Sequence, residues 1–209
     1  FVLIVGLLVP MWMSPWYCHV VLCAFVAGGS LEFWIAVCNN AVGLQGYLEM
    51  VVIFLAWCLP TIAALQFYES MLGHKRLVEC LVIQLVVGDS AQMLVGRSIG
   101  RHFVCPTLSP KKTFEGYFGG AVVTLLYASV AHGWSITDVL VAYGFGCIGD
   151  LYFSAVKRRL GIKDYSRVLS SHGGLLDRID SFMFAANALV WKAHTPSISA
   201  AIFTSDAVP

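Results

Sequence analysis

Between Ser154 and Asp180 the chain reads SAVKRRLGIKDYSRVLSSHGGLLDRID, which gathers six Lys or Arg, three Asp and one His. Asp177 and Asp180 lie three residues apart, a spacing that puts both carboxylates on one side of a helix. Two more acids interrupt apolar runs: Asp150 in GFGCIGDLYFSAV and Asp89 in LVVGDSAQMLVG. In a bilayer interior each acid costs about 2.5–3.5 kcal/mol even on a mild insertion scale. Two carboxylates about 6 Å apart repel by roughly 3 kcal/mol at an effective dielectric of about 20. Something cationic must offset that. Lys or Arg could do so in a structural pair. A hard divalent cation such as magnesium would do so while also binding phosphate oxygens. The expected metal-holding acids are Asp150, Asp177 and Asp180. Asp89 either joins them or bonds a neighbouring helix.

The basic residues form the counterpart. Lys157 and Arg158 follow Asp150 at the end of its apolar run, and Lys163, Arg167 and His172 complete a cationic mouth, with Arg178 just beyond. Gly173 and Gly174 are suited to positive φ and to close approach of a ligand. The N-terminus of the next helix follows at once, and its N–H groups favour anions. Acids for a metal, bases for phosphates and a helix N-terminus outline a phosphoryl-transfer site. A second basic cluster lies in LSPKKTFEG. There Ser109 is expected to cap a helix with Pro110 in its first turn, which sets Lys111 and Lys112 near the membrane surface. A basic helix resting on anionic headgroups is the alternative reading. The connection from Arg97 to Gly116 is long for a simple loop, which favours function.

These residues must be positioned by membrane helices. Of the 209 residues 58% are hydrophobic and only 12% are Lys, Arg, Asp or Glu, about half the charge of an ordinary soluble domain. Mean hydropathy is +0.78. Apolar stretches of about 20 residues, the length a bilayer requires, are expected at 1–13 (a shortened helix), 16–38, 47–68, 77–95, 117–135, 138–156 and 175–194. The expected fold is therefore all-α, a polytopic integral membrane protein with about seven transmembrane helices. The tail after His194 is expected to be peripheral. Gly144, Gly146 and Gly149 would let helix backbones approach closely. The start of the chain has no basic segment and no small-residue cleavage site, so a signal peptide is not expected and an N-terminally incomplete chain is. The seven Cys are scattered without a CxxC and read as small buried hydrophobes. No Lys or Arg occurs before Lys75. Arg97, Arg101, Lys111 and Lys112 lie in one loop, and Lys157, Arg158, Arg159, Lys163 and Arg167 in another two crossings away. With Arg178 these are ten of the thirteen basic residues, so that face is expected to be cytoplasmic. Topology alone would explain the bases but not the acids.

The run from Ser154 to Asp180 resembles the signature of the phosphatidate cytidylyltransferases, also called CDP-diacylglycerol synthases. Its matching positions include Lys157, Arg158, Lys163, Asp164, Ser166, His172, Gly173, Gly174, Asp177, Arg178 and Asp180. A second block, GDSAQMLVGRSIGR followed by LSPKKTFEGYFGG, is similar to another stretch of that family. The resemblance divides the chain into N-terminal hydrophobic helices, 1–74, and a catalytic transmembrane domain, 75–209. It implies that CTP and phosphatidic acid react at a bilayer to give CDP-diacylglycerol and pyrophosphate, in a homodimer that does not act on nucleic acid. It also implies magnesium, with potassium as a companion cation, on Asp150, Asp177 and Asp180. Lys157, Arg158, Lys163 and His172 would hold phosphates, with Gly173, Gly174 and Arg178 beside them. Asp89, Ser109, Lys111, Lys112, Thr113 and Glu115 would line the site or its entrance. One departure stands out: Gln92-Met93 occupies the place of the family's Ala-Tyr. The rival functions are a CTP-dependent polyprenol kinase and an ion-coupled transporter. Transport would spread acids along the depth of a pathway, whereas here they gather toward the basic face.

Overall fold

The structure, a computed structural model, describes residues 15–40, 45, 46, 48, 49, 52, 75–130, 135–166 and 173–194. Five long helices run through them: α1 (Pro15–Asn40), α2 (Lys75–Ile99), α3 (Phe114–Val130), α4 (Ile136–Arg159) and α5 (Leu176–His194). Each falls on an expected span. The expected span at 1–13 and the tail after His194 lie outside the described residues, as does most of 47–68, where positions 48, 49 and 52 are helical. Among the described residues, α4 alone is both long and apolar enough to cross a membrane by length and composition.

Helices α4 and α5 are antiparallel, and an ion pair marks each end. At one end Ser135 and Asp138 form a reciprocal capping box that starts α4. There Lys192 from the last turn of α5 pairs with Asp138 and donates to Thr137 Oγ1 (2.7 Å). At the other end Lys157 of α4 meets Asp177 of α5. From Asp138 to Lys157 a helix rises about 28 Å, close to the roughly 30 Å of bilayer hydrocarbon. Gly149 sets the contact between these helices, and Gly146 lets α4 lie close to α2. A methyl on Gly149 would meet the Asp180 carbonyl at 2.8 Å, and one on Gly146 would meet Leu85 at 2.8 Å. Gly144 has nothing within 4 Å, so the expected close approach does not extend to it.

The second intimate pair is α2 with α3. A methyl on Gly116 would meet the Gln92 carbonyl at 2.7 Å and the Gly96 Cα at 3.3 Å, and one on Gly88 would strike Thr124 at 2.7 Å. The Gln84 amide donates to the Val139 carbonyl (2.7 Å), tying α2 to the start of α4. The apolar core lies where α1, α4 and α5 converge. Phe33, Phe153, Leu176 and Met183 are withdrawn from solvent there, with the Tyr165 ring against Phe33 and Phe153.

Between α2 and α3 the sequence expectation fails. Ser109–Thr113 is not a helix start but the strand β2, paired antiparallel with β1 (Phe103–Cys105) in the register Phe103 to Thr113 and Cys105 to Ser109. Pro110 lacks a backbone donor but is tolerated because a two-stranded ribbon consists of edges. The helix begins at Phe114, and the Thr113 hydroxyl caps it by accepting the Gly116 N–H (3.1 Å). The cysteines also differ in part from expectation. Cys38, Cys105 and Cys147 are free thiols, but Cys38 is exposed and the other two are half-buried.

Overpacking a closed helix contact costs about 1–3 kcal/mol. Gly116→Val should therefore lower the detergent melting temperature, because its nearest neighbour is the Gln92 carbonyl, a backbone atom that cannot turn aside. Gly144→Ala should leave the melting temperature unchanged. Equal behaviour of the two variants would contradict the packing described here.

Candidate active site

The strand geometry of β2 directs the two lysines of SPKKT to opposite faces. Lys111 is exposed, while Lys112 turns inward and forms an ion pair with Asp150 of α4. The Lys112 ammonium also lies 5.9 Å from the centre of the Tyr117 ring. Burial pushes its pKa below the ordinary lysine value, and the charges of Asp89 and Asp180 oppose that shift. The hairpin is itself held by Glu115. That carboxylate accepts the backbone N–H groups of Arg101 (3.1 Å) and His102 (3.2 Å) and contacts His102 Nδ1 at 2.6 Å. The His102 side-chain hydrogen bond is the largest cause that lowers the Glu115 pKa to about 2, with backbone N–H groups adding to it.

Around the start of α5 the second half of the site is built on Asp177. One oxygen takes a 2.6 Å contact from Lys157 Nζ. The other accepts the N–H groups of Gly174 (3.0 Å) and Tyr165 (3.2 Å). The Lys157 and Asp177 side chains are only 12% and 7% exposed, and Lys157 lies 5.7 Å from the centre of the Tyr165 ring. Burial, reinforced by the charges of Asp177 and Asp180, pushes the Tyr165 phenol upward and keeps it neutral. Asp180 is buried one turn further along, its Oδ1 accepting the Ser181 N–H (2.7 Å), within electrostatic reach of Lys157, Asp177 and Lys112. Gly173 takes φ +80° as expected, but Gly174 does not have positive φ.

The start of α5 is not open to an anion in the way the sequence suggests. Glu32, a buried acid on α1, accepts the N–H groups of Leu175 (3.1 Å) and Leu176 (3.0 Å) and the Ser166 hydroxyl (2.6 Å). With Asp177 on Gly174, two of the chain's own carboxylates take the Gly174, Leu175 and Leu176 donors at this terminus. Gly174 is needed for a different reason than backbone freedom: a side chain there would collide with Glu32. Sequence reasoning passed over Glu32, and its only signal was an acid inside an otherwise uncharged N-terminal run.

Other expected site residues are placed elsewhere. Arg158 is exposed and donates to the Ile162 carbonyl (3.0 Å), closing the end of α4. Lys163 and Arg178 are exposed, Ser109 is half-buried in β2, and Thr113 is the α3 cap. His172 and Arg167 lie outside the described residues. Asp89 is exposed on α2. Gln92 points into the protein, where the Tyr143 hydroxyl lies 3.4 Å from its Oε1 and the Cys147 thiol 3.8 Å.

The lysines meet the acids directly, and among the described residues no three His, Cys, Asp or Glu side chains form a ready cation cage. Yet Asp89, Asp150, Asp177 and Asp180 outnumber Lys112 and Lys157 in one connected neighbourhood, leaving two negative charges in excess. Carboxylate oxygens in that ratio suit a hard divalent cation.

Fold and site thus define a helical protein with paired lysines and carboxylates gathered at one end of α4, the helix long and apolar enough to cross a membrane. The chain belongs to the cytidylyltransferase family, whose sequence pattern matches residues 50–194. It is 36% identical over 143 residues to a phosphatidate cytidylyltransferase of Staphylococcus epidermidis, covering 62% of this chain and 55% of that protein. A phosphatidate cytidylyltransferase of Staphylococcus haemolyticus is 37% identical over 145 residues, with the same two shares. The Escherichia coli K12 protein called uncharacterized protein YnbB is 38% identical over 160 residues, 68% of this chain and 53% of its own length. The chain spans about half the length of the curated relatives it matches.

Glu115→Gln removes one of the two oxygens that hold the hairpin. Hydrogen exchange at the Arg101 and His102 amides should quicken while exchange in α5 stays as it was. No change at the hairpin amides would contradict the anchoring role of Glu115.

Proposed function

We propose that this chain carries the catalytic portion, 75–209, of a membrane enzyme that transfers the cytidylyl group of CTP to phosphatidic acid, releasing pyrophosphate and CDP-diacylglycerol. The observation that carries this reading is the half-buried Lys112–Asp150 and Lys157–Asp177 site in a chain whose relatives are named for that reaction. A phosphatidate oxygen attacks the α-phosphorus of CTP, a new P–O bond forms, and the bond to pyrophosphate breaks. The attacking phosphate monoester is already anionic near neutral pH, so the site needs no strong general base. Positioning and charge neutralisation do most of the work, as in phosphoryl transfer generally.

Lys112 and Lys157 are the residues best placed for phosphate oxygens, each reaching the site from a different element. Their carboxylate partners hold both side chains oriented toward the site. Magnesium, with potassium beside it, would be held by Asp150, Asp177 and Asp180 and would supply further neutralisation of the nucleotide phosphates. Lys163, Arg178 and His172 would gather anionic substrate at the rim. The enzyme is polytopic, with about seven spans, and works as a homodimer with its site on the cytoplasmic face. Supporting the membrane setting, large apolar side chains stand exposed along α1 (Leu31, Trp34, Ile35), α3 (Phe114, Phe118, Leu126) and α4 (Leu140, Ile148). A site at helix ends lets the acyl chains remain in lipid while the headgroup meets CTP.

Purified protein given labelled CTP, phosphatidate and magnesium should form a CTP-dependent liponucleotide and pyrophosphate. Formation of CDP with a phosphorylated alcohol would instead indicate a lipid kinase. Asp177→Asn and Asp180→Asn should each abolish transfer while helical content in detergent is kept, and Lys157→Ala should lower kcat/KM. Near-normal turnover in either aspartate variant would remove the assignment.

A further inference from the structure

We infer that Glu32 is a positioning residue for the catalytic acids, supplied by a helix that lies before the segment matched by the family pattern. The inference rests on the function proposed above. Glu32 sits on α1, and the family match begins at residue 50. Its side chain nevertheless reaches residues 134, 143 and 144 positions further along the chain. It is 7% exposed, and it spends both oxygens as acceptors: Oε1 on the Ser166 hydroxyl and the Leu175 N–H, Oε2 on the Leu176 N–H.

The consequence for the site is geometric. Ser166 follows Tyr165, whose N–H binds Asp177, and Leu175 follows Gly174, whose N–H binds Asp177 as well. Glu32 therefore fixes both backbone segments that fix Asp177. One turn beyond, Ile179 and Leu176 pack against Gly29, one turn before Glu32 on α1, with their side-chain carbons at 3.5 Å from the place of a Cβ there. The carboxylate also meets the positive end of the α5 dipole, which an anion stabilises. A neutral amide cannot do the same work. Glutamine has one acceptor oxygen, so its NH2 would face either the Leu176 N–H or the pair of donors at Oε1.

The test uses the whole chain in detergent, as Glu32→Gln and Glu32→Asp. In Glu32→Gln, hydrogen exchange of residues 173–177 without substrate should be about tenfold or more faster, with exchange in α2 and α3 unchanged. Its kcat for cytidylyl transfer should fall on the order of tenfold to a hundredfold, with a smaller change in KM for CTP. Glu32→Asp keeps two acceptor oxygens and should recover part of both losses. Unchanged exchange at 173–177 in Glu32→Gln would overturn the inference, and so would faster exchange with a normal kcat. Were the parent protein itself inactive with CTP and phosphatidate, the proposed function would fail, whereas the exchange measurement would still decide whether Glu32 holds the start of α5.

Discussion

The ion pair between Lys157 and Asp177 joins the last turn of α4 to the first turn of α5, with both side chains almost withdrawn from solvent. A lone charge in such surroundings costs several kcal/mol, and a pair is tolerated only when further hydrogen bonds complete it. Here two backbone N–H groups complete the carboxylate. Those donors come from segments that Glu32 secures, so one buried anion in α1 supports another in α5. The connection from α4 to α5 turns at Gly161, φ +69° just after α4, and at Gly173, φ +80° just before α5.

The same constraint gives the hairpin its place. Helix α2 ends in an exposed, polar stretch, and a direct turn into α3 would leave Asp150 without a cation. The β1–β2 ribbon instead delivers Lys112 to it, while Glu115 fastens the ribbon to the first turn of α3. Membership of the cytidylyltransferase family accords with a site built this way, since transfer of a nucleotidyl group asks chiefly for held charge.

Much of this was readable from the residue order. The bounds of α4 and α5 follow from apolar runs of bilayer length, whereas Lys157 and Asp177, expected to serve phosphates and a metal, meet each other instead. The hairpin was hidden because Ser109-Pro110 is an equally good helix start when read locally, and only the pairing with Phe103–Cys105 decides otherwise. Arg158 and Lys157 are neighbours in sequence, yet a helix turns them about 100° apart, so one enters the site and the other closes the loop. Glu32 could not be foreseen, because nothing in local pattern links it to donors more than 130 positions away.

The carboxylates of this site are held by lysines rather than merely near them. The most direct measurement is a double-mutant cycle of unfolding free energy in detergent, using Lys157→Met, Asp177→Asn and the two combined. A coupling of about 1–3 kcal/mol is expected, with the single variants each more damaging than the pair would suggest. Strict additivity of the two substitutions would contradict it.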